Sequence, residues 1–168
     1  LSCIHFPQTM AEASEARRRL VYEELLLLEL MLMRQARERE RGREPVRHVV
    51  DGPRTAALAR ALPFELTDEQ KHAKDDILSA LAAPRAANHL LLGDVGTGKT
   101  AVAAFALAAA VDTGTQALFM APTEVLARQH GGSLGPLFDA AGVRWAVLAG
   151  STSDAERKDV LARLSAGE

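Results

Sequence analysis

The sequence has little cysteine and few aromatic residues, and both shortages limit what the chain can be. Its single cysteine, Cys3, excludes a disulfide framework and a cysteine-rich zinc site, and so suits a reducing cytoplasm. The first residues lack the basic and then apolar pattern of a secretory signal peptide, which favours the same cytoplasmic location. Aromatic residues make up 4% of a chain that is 48% hydrophobic, so its core must be built mainly from leucine, alanine and valine.

The chain also lacks a strong net charge, and a formal charge of −2 gives no reason by itself to expect a nucleic-acid partner. Residues 1–60 hold eleven arginines against nine acidic residues, whereas residues 61–168 hold nine basic and thirteen acidic residues. Any basic surface is therefore expected in the first third, where the stretch from Arg34 to Arg47 has six arginines and three glutamates. This stretch is either a solvated helix end with internal Glu–Arg pairs or an arm that contacts nucleic-acid phosphates.

No hydrophobic run is both long enough and free enough of charge to cross a bilayer. The run from Leu20 to Met33 is interrupted by three glutamates. Residues 1–12 are predicted to be a connector, and residues 13–44 are predicted to form one long linker helix. Because apolar residues cover most sides of this helix, we expect it to be sandwiched between other elements.

Glycine and proline at positions 42, 45, 52 and 53 predict a boundary between a linker region, 1–50, and a second domain, 51–168. Helices are predicted over 54–61 and 67–81, and a capping box of Thr67 and Gln70 begins the second of these.

From residue 88 onward, predicted strands and helices alternate. The strands are 88–92, 116–121 and 144–148, and the helices are 98–111, 123–140 (broken at Gly131-Gly132 and Pro136) and 153–165. Glycines 114, 142 and 167 lie where helix ends are expected. The alternation predicts an α/β fold with a parallel sheet and flanking helices, preceded by the long linker helix.

Residues 93–100, Gly-Asp-Val-Gly-Thr-Gly-Lys-Thr, match the phosphate-binding loop pattern Gly-x-x-x-x-Gly-Lys-Thr. A predicted strand precedes this loop and a predicted helix follows it, which is the context that the motif requires. The glycines let backbone N–H groups close around phosphate oxygens, and the following helix points its positive end at the same anion. Lys99 would reach the β- and γ-phosphates, and the Thr100 hydroxyl would hold Mg²⁺.

Other segments admit two interpretations each. Gln70 either caps its helix or pairs with the adenine edge through its amide. Thr123, in Ala-Pro-Thr-Glu after a predicted strand, either begins an ordinary helix or helps present helix N–H groups to a nucleic-acid phosphate. Gly150 and Ser151 also follow a predicted strand, where parallel sheets bind ligands, but alone they are a weak signal.

The ordered set of motifs resembles the superfamily 2 helicases. Matches are Leu66-Thr67-x-x-Gln70 to the Q motif, 93–100 to motif I, Ala-Pro-Thr-Glu-Val-Leu-Ala-Arg-Gln-His at 121–130 to motif Ia, and Leu-Ala-Gly-Ser at 148–151 to motif Ib. Gly-Asp-Val-Gly in motif I and Pro-Thr-Glu in motif Ia are similar to the RecG family of branch-migrating DNA helicases. The transcription-repair coupling translocase usually has Pro-Thr-Thr in motif Ia. Residues 4–7 and 16–26 are similar to the RecG segment between the wedge domain and the motor.

The resemblance implies part of a RecA-like lobe that uses ATP and Mg²⁺ and acts on branched or forked DNA in repair and recombination. The residues implied in nucleotide binding are Gln70, Gly93, Asp94, Val95, Gly96, Thr97, Gly98, Lys99 and Thr100. Of these, Lys99 and Thr100 would take part in catalysis, and Thr100 would hold Mg²⁺. The residues implied in binding the DNA backbone are Pro122, Thr123, Arg128, Gly150 and Ser151.

Parts of the family pattern are missing from the 168 residues. No Asp-Glu-x-His box follows motif Ib, and neither the wedge domain nor the second motor lobe with its arginine finger is present. We therefore expect a helicase fragment that binds nucleotide without hydrolysing it. Two other hypotheses stand beside this one: a stand-alone P-loop nucleotide sensor, and an interaction protein in which the helix from Leu20 to Met33 forms a dimer.

Overall fold

The computed structural model describes residues 2–40 and 45–167, and the chain divides into two compact units, Leu1–Glu44 and Pro45–Glu168. The first unit contains helix α1, Ser2–His5, and helix α2, Met10–Glu40. The predicted connector over 1–12 is therefore wrong in part, because both helices extend into it. The predicted last residues of the long helix, 41–44, lie outside the described residues.

Helix α2 begins three residues earlier than predicted because a local capping arrangement starts it. The Glu12 N–H donates to the Thr9 hydroxyl oxygen at 3.2 Å, and the Gln8 N–H donates to the Glu12 carboxylate at 2.9 Å. These bonds satisfy donors that the first turn of a helix would otherwise leave unpaired. Ion pairs at four-residue spacing follow along the helix, Arg19–Glu23 at 2.7 Å and Arg34–Glu38 at 2.8 Å.

The apolar centre of α2 remains accessible to solvent. Every large apolar side chain from Val21 to Met33 is exposed, with exposed fractions between 41% and 64%. The prediction that other elements sandwich this helix is therefore wrong for the described part of the chain. No helix in that part combines the length and the apolar character that a membrane span requires.

The second unit contains five helices among its described residues. They are α3, Pro53–Ala61; α4, Asp68–Ala82; α5, Lys99–Asp112; α6, Glu124–Ala140; and α7, Asp154–Ser165. Each predicted helix is confirmed with its ends within one residue. The capping box that begins α4 is also confirmed, since the Gln70 N–H donates to Thr67 Oγ1 at 3.3 Å and the Thr67 N–H donates to Gln70 Oε1 at 2.9 Å.

Helix α5 lies at the centre of this unit and contacts α3, α4 and α6. Its fully buried alanines, Ala104, Ala108 and Ala109, allow neighbouring helices to approach closely. Phe105 from α5 and Leu58 from α3 fill the space between the helices, and burying each side chain contributes about 1.5–3 kcal/mol. The core therefore surrounds the helix that follows the phosphate-binding loop.

The last residue of α5, Asp112, holds the first turn of α3. Its side chain is completely buried and accepts the backbone N–H groups of Arg54 and Thr55 at 3.0 and 2.9 Å, as well as the Thr55 hydroxyl at 2.9 Å. Burial alone would raise the pKa of Asp112, but these hydrogen bonds and the Arg54 charge lower it overall. Asp112 thus supplies the acceptor that Gly52, the N-cap residue of α3, does not provide.

Segment 47–49 is tied to the C-terminal ends of α4 and α5. Arg47 Nε donates to the Ala82 carbonyl at 3.0 Å, and the Val49 N–H donates to Thr113 Oγ1 at 2.9 Å. The His48 N–H donates to the Leu81 carbonyl at 3.0 Å. These donors pair with two carbonyls at the C-terminal end of α4 and with a hydroxyl just after the C-terminal end of α5. Lys99 lies at the opposite end of α5.

Helix α6 is continuous, so the predicted breaks at Gly131-Gly132 and Pro136 are wrong. Two glycines of α6 make room for neighbouring side chains instead of ending the helix. A Cβ atom on Gly135 would overlap the Trp145 ring, and one on Gly131 would overlap Val147. Packing against these side chains explains why this helix contains glycine without ending there. The predicted glycines at helix ends are confirmed, with φ of 79° at Gly114, 67° at Gly142 and 81° at Gly167.

The predicted parallel sheet is not observed. In the described part of the chain, residues 88–92, 116–121 and 144–148 form neither helix nor paired strand, and no backbone hydrogen bond joins the three segments. A parallel strand requires such bonds from its neighbours. Apolar side chains of these segments are accessible, as Leu90 at 83% and Leu118 at 81% illustrate. A pocket of about 420 Å³ is lined by residues of the later two segments, Trp145 among them, and by residues of α5 and α6.

Candidate functional site

The loop over residues 93–100 adopts a backbone conformation that depends on glycine. Gly96 and Gly98 have φ of 84° and 77°, in the left-handed region that other residues adopt at a cost. The Thr97 side chain closes the loop from within, because its hydroxyl donates to the Asp94 carbonyl at 2.9 Å. The residues from Gly93 to Thr97 are exposed, so an anion can approach the loop from solvent.

Lys99 is the first residue of α5, and its side chain turns back over this loop. Its Nζ donates to the Gly93 carbonyl at 2.8 Å and to the Asp94 carbonyl at 2.5 Å. These acceptors are neutral, so the ammonium charge is held by dipoles and has no carboxylate partner among the described residues. A phosphate oxygen that replaced a carbonyl would gain a charge-assisted hydrogen bond from Lys99.

Gln70 contacts the loop and caps its own helix at the same time. Its Oε1 accepts the Thr67 N–H at 2.9 Å, while its Nε2 donates to the Thr97 carbonyl at 2.8 Å. The capping interpretation is therefore confirmed, and the amide nitrogen ties α4 to the phosphate-binding loop. A Cβ atom on Gly98 would overlap this amide nitrogen, so the contact also requires glycine at that position.

The residues of this loop fit a nucleoside triphosphate with Mg²⁺. The first N–H groups of a helix lack intrahelical acceptors, and the half-buried Lys99 and Thr100 lie in the first turn of α5. A cradle of left-handed glycines, a lysine ammonium and a threonine hydroxyl is the donor set that phosphate and its metal use. Among residues 2–40 and 45–167, no group of His, Cys, Asp and Glu could hold a metal ion. Phosphate and water would supply further ligands of Mg²⁺.

Motifs Ia and Ib contact each other through a small polar cluster formed by Glu124, Arg128 and Ser151. The Glu124 carboxylate accepts the Ser151 N–H at 3.1 Å, the Ser151 hydroxyl, and Arg128 Nε at 3.0 Å. Arg128 Nη2 also donates to the Ser151 hydroxyl oxygen. The hydrogen bonds from the Ser151 hydroxyl and from Arg128 lower the pKa of Glu124, so its carboxyl group is ionised at neutral pH.

The structure brings most of the predicted DNA-binding residues to one place. Arg128 and Ser151 are hydrogen-bonded to each other, and Gly150 lies against Glu124, since a Cβ at Gly150 would be 3.2 Å from the carboxylate. Thr123 is the N-cap of α6, and its hydroxyl accepts the Leu126 N–H at 3.3 Å. Pro122 precedes it in the turn and is exposed.

Two residues with several hydrogen bonds were not predicted from the sequence. In the motif Ia–Ib cluster this is Glu124, although its four-residue spacing to Arg128 on a helix is typical of an ion pair. Outside the candidate sites it is Asp112, which holds the start of α3. The available signal is the start of α3 at Gly52-Pro53, which lacks a side-chain acceptor and so requires one from elsewhere.

Comparison with known proteins agrees with the motifs. A profile of the family described as DEAD/DEAH box helicase matches residues 67–166. The chain is also similar to proteins named ATP-dependent DNA helicase RecG. It is 40% identical over 168 residues to that of Bacillus subtilis (strain 168), 39% over 165 residues to that of Synechocystis sp., and 36% over 166 residues to that of Thermotoga maritima.

These alignments cover 98–100% of the chain but only 20–25% of each relative. The chain therefore spans a quarter or less of the length of the relatives that it matches. The predicted likeness to RecG is confirmed over the whole chain. Since the family profile covers more than half of the residues and includes both the phosphate-binding loop and motif Ia, the chain belongs to the DEAD/DEAH box helicase family.

Proposed function

We propose that this chain is a piece of an ATP-dependent helicase that remodels branched or forked DNA. Residues 51–168 would form the nucleotide-binding part of its first RecA-like motor lobe, and residues 1–50 would be the linker that precedes this lobe. The observation that carries the proposal is the loop over 93–100, in which two left-handed glycines place the Lys99 ammonium over the loop carbonyls. Membership of the DEAD/DEAH box helicase family and similarity to RecG proteins support a helicase role for the protein that contains this loop.

In the nucleotide site, Lys99 would exchange the Gly93 and Asp94 carbonyls for phosphate oxygens. The loop N–H groups from Gly93 to Gly98 would surround the same phosphates, and the Thr100 hydroxyl would hold Mg²⁺. Gln70 would recognise adenine by releasing one of its two present hydrogen bonds, either to Thr67 or to Thr97. Bound ATP would supply the free energy of phosphoryl transfer to the motor.

In the DNA site, Ser151 and Arg128 would bind phosphates of the DNA backbone, and Gly150 would let the backbone approach closely. Pro122 and Thr123 would position the first turn of α6 towards the same strand. Supporting this, Arg128 and Ser151 lie within hydrogen-bonding distance of each other although 23 residues separate them in sequence. Contacts of this kind bind DNA without reading its sequence, which suits a motor that must move along it.

The chain by itself is proposed to bind nucleotide without turning it over. The 168 residues contain a complete phosphate-binding loop but no Asp-Glu-x-His box after motif Ib. That box and an arginine finger are the groups that orient water and stabilise the transferring phosphoryl group in related motors.

The test is ATP-driven unwinding of a forked DNA by the full-length gene product. In Lys99→Ala we expect the unwinding rate to fall about a hundredfold, because a charge contact to the transferring phosphate is lost. Lys71→Ala is the matched control, since this exposed lysine pairs with Asp68 at 3.2 Å and should leave the rate unchanged. Unwinding that is unaffected by Lys99→Ala, or a wild-type protein that cannot remodel forks with ATP, would contradict the proposal.

A further inference from the structure

The donors of motif Ib are already bound to an anion of the protein. The Glu124 carboxylate accepts both hydrogens that Ser151 can donate, the backbone N–H at 3.1 Å and the hydroxyl. It also accepts Arg128 Nε at 3.0 Å. A backbone N–H, a hydroxyl and a guanidinium are the groups by which proteins bind phosphate oxygens. Glu124 therefore occupies both donors of Ser151 and the Nε donor of Arg128, which a DNA phosphate would need at this place.

We propose that Glu124 is an internal competitor for the DNA backbone, which a phosphate must displace before it can bind Ser151 and Arg128. The inference rests on the proposed function, because it concerns the same DNA contact. It assigns to Glu124 a role in setting how tightly and for how long the backbone is held.

The geometry allows this displacement. The Glu124 and Arg128 side chains are 36% and 55% exposed, so the carboxylate can rotate into solvent without crossing a packed core. Exposed ion pairs of this kind contribute little net stability, so exchange for a phosphate is not costly. Gly150 allows the Glu124 carboxylate to lie close to the Ser151 N–H, because a Cβ atom at position 150 would be only 3.2 Å from that carboxylate.

An internal competitor has a physical use in a motor. A translocating protein must release each phosphate contact as often as it forms one, so very tight contacts would slow it. A carboxylate that returns to Ser151 and Arg128 when the phosphate leaves satisfies the freed donors, which would otherwise lose their hydrogen bonds. The alternative role, in which Glu124 only holds Arg128 in place for DNA, predicts the opposite effect of its removal.

The test is the affinity of the full-length gene product for a fluorescently labelled forked DNA at fixed salt, measured by fluorescence anisotropy. We expect Glu124→Gln to bind about two- to fivefold more tightly, the range of a surface ion pair. Most of the change should appear as slower dissociation from competitor DNA. Glu124→Ala, which removes the acceptor entirely, should change the affinity in the same direction.

The control for simple charge removal is Asp154→Asn. Asp154 begins α7 three residues after Ser151, and among the described residues it makes no hydrogen bond to Glu124, Arg128 or Ser151. In a Ser151→Ala, Arg128→Ala background, the gain from Glu124→Gln should shrink to the level of this control. A double-mutant comparison of this kind isolates coupling from additive charge effects.

Three outcomes would overturn the inference. Weaker or unchanged binding by Glu124→Gln would mean that the carboxylate positions Arg128 or does nothing for DNA. A gain that persists in the Ser151→Ala, Arg128→Ala background would be a general charge effect. If Ser151→Ala, Arg128→Ala binds DNA as tightly as the wild type, the DNA contact of the proposed function fails, and the competitor role fails with it.

Discussion

Helices α5 and α6 both begin at a candidate binding site, yet their first turns are built differently. Gly98 begins α5 in a left-handed conformation, and no side chain in the described part of the chain caps that helix start. Thr123 begins α6 with a hydroxyl that accepts a backbone N–H, and Glu124 adds a carboxylate to the first turn. Among the described residues, the first turn of α5 thus has no side-chain acceptor at its cap, whereas the first turn of α6 contains a hydroxyl and a carboxylate.

The two helices also differ in how firmly the core holds them. Seven residues of α5 are buried, and its last residue, Asp112, is bonded to α3, whereas three residues of α6 are buried. A candidate phosphate site whose lysine is held by the neutral Gly93 and Asp94 carbonyls therefore lies on the helix with more buried residues. A site whose donors are shared with Glu124 lies on a more exposed one. The proposed nucleotide contact and the proposed DNA contact are therefore built from different first turns.

The largest expected effect is on nucleotide binding, when the glycine at the start of α5 is replaced by alanine. Gly98→Ala should weaken Mg·ATP binding about thirty- to a hundredfold, because it adds left-handed strain and displaces Gln70 from the loop. The matched control is Gly132→Ala within α6, where an added Cβ atom would meet nothing within 4 Å. It should leave binding unchanged and raise the free energy of unfolding by up to about 1 kcal/mol.

Nucleotide titrations by calorimetry, together with thermal unfolding, check both variants. If Gly98→Ala binds Mg·ATP as the wild type does, the special conformation of the α5 start has no role in binding. A destabilised Gly132→Ala would show that α6 needs glycine there for a reason other than packing.

A smaller effect, on the free energy of unfolding, is expected from substitutions at the C-terminal ends of α5 and α6. Asp112→Ala should lower the free energy of unfolding by about 2 kcal/mol, because it removes a buried, charged acceptor from the start of α3. Asp139→Ala near the end of α6 is the matched control. Its carboxylate accepts the exposed Trp145 indole N–H at 2.9 Å, so its loss should cost about 0.5–1 kcal/mol.

The contribution of Asp112 should also depend on pH. Its pKa is lowered in the folded state, so its stabilising effect is present above the unfolded value, about 3.9, and is lost as the pH falls through the lower folded value. The difference in unfolding free energy between wild type and Asp112→Asn should therefore shrink below about pH 4. Denaturant titrations from pH 3 to pH 7 test this, and a constant difference over that range would show that Asp112 is not the charged acceptor.

The five helices of the second unit were predictable because local rules determine them. The capping box at Thr67 and Gln70 and the glycines after α5 and α6 are short-range signals, and all of them are confirmed. The breaks predicted at Gly131-Gly132 and Pro136 were wrong, and Gly131 instead packs against Val147, a contact that no local pattern contains. Likewise, the apolar surface of α2 indicates a need for neighbours but does not identify them.

The parallel sheet was predicted from the alternation of apolar segments with helices, and such segments pair only when neighbouring strands offer backbone partners. In the described residues, the three segments lack those partners.

For the candidate sites, sequence motifs predicted the phosphate-binding loop and the residues of motifs Ia and Ib, and a family profile matches the region that contains them. The bonds from Glu124 to Ser151 and from Asp112 to Thr55 join residues 27 and 57 positions apart, which spacing rules on a single helix cannot foresee.

The most direct test of the central claim is a titration of the 168-residue chain with Mg·ATP, followed by an assay for released phosphate. The account predicts saturable binding that Lys99→Ala weakens about tenfold or more, since a charge-assisted hydrogen bond is lost, and no steady release of phosphate. Equal binding by wild type and Lys99→Ala would contradict the nucleotide site. Steady phosphate release that Lys99→Ala abolishes would contradict the claim that the chain binds without hydrolysing.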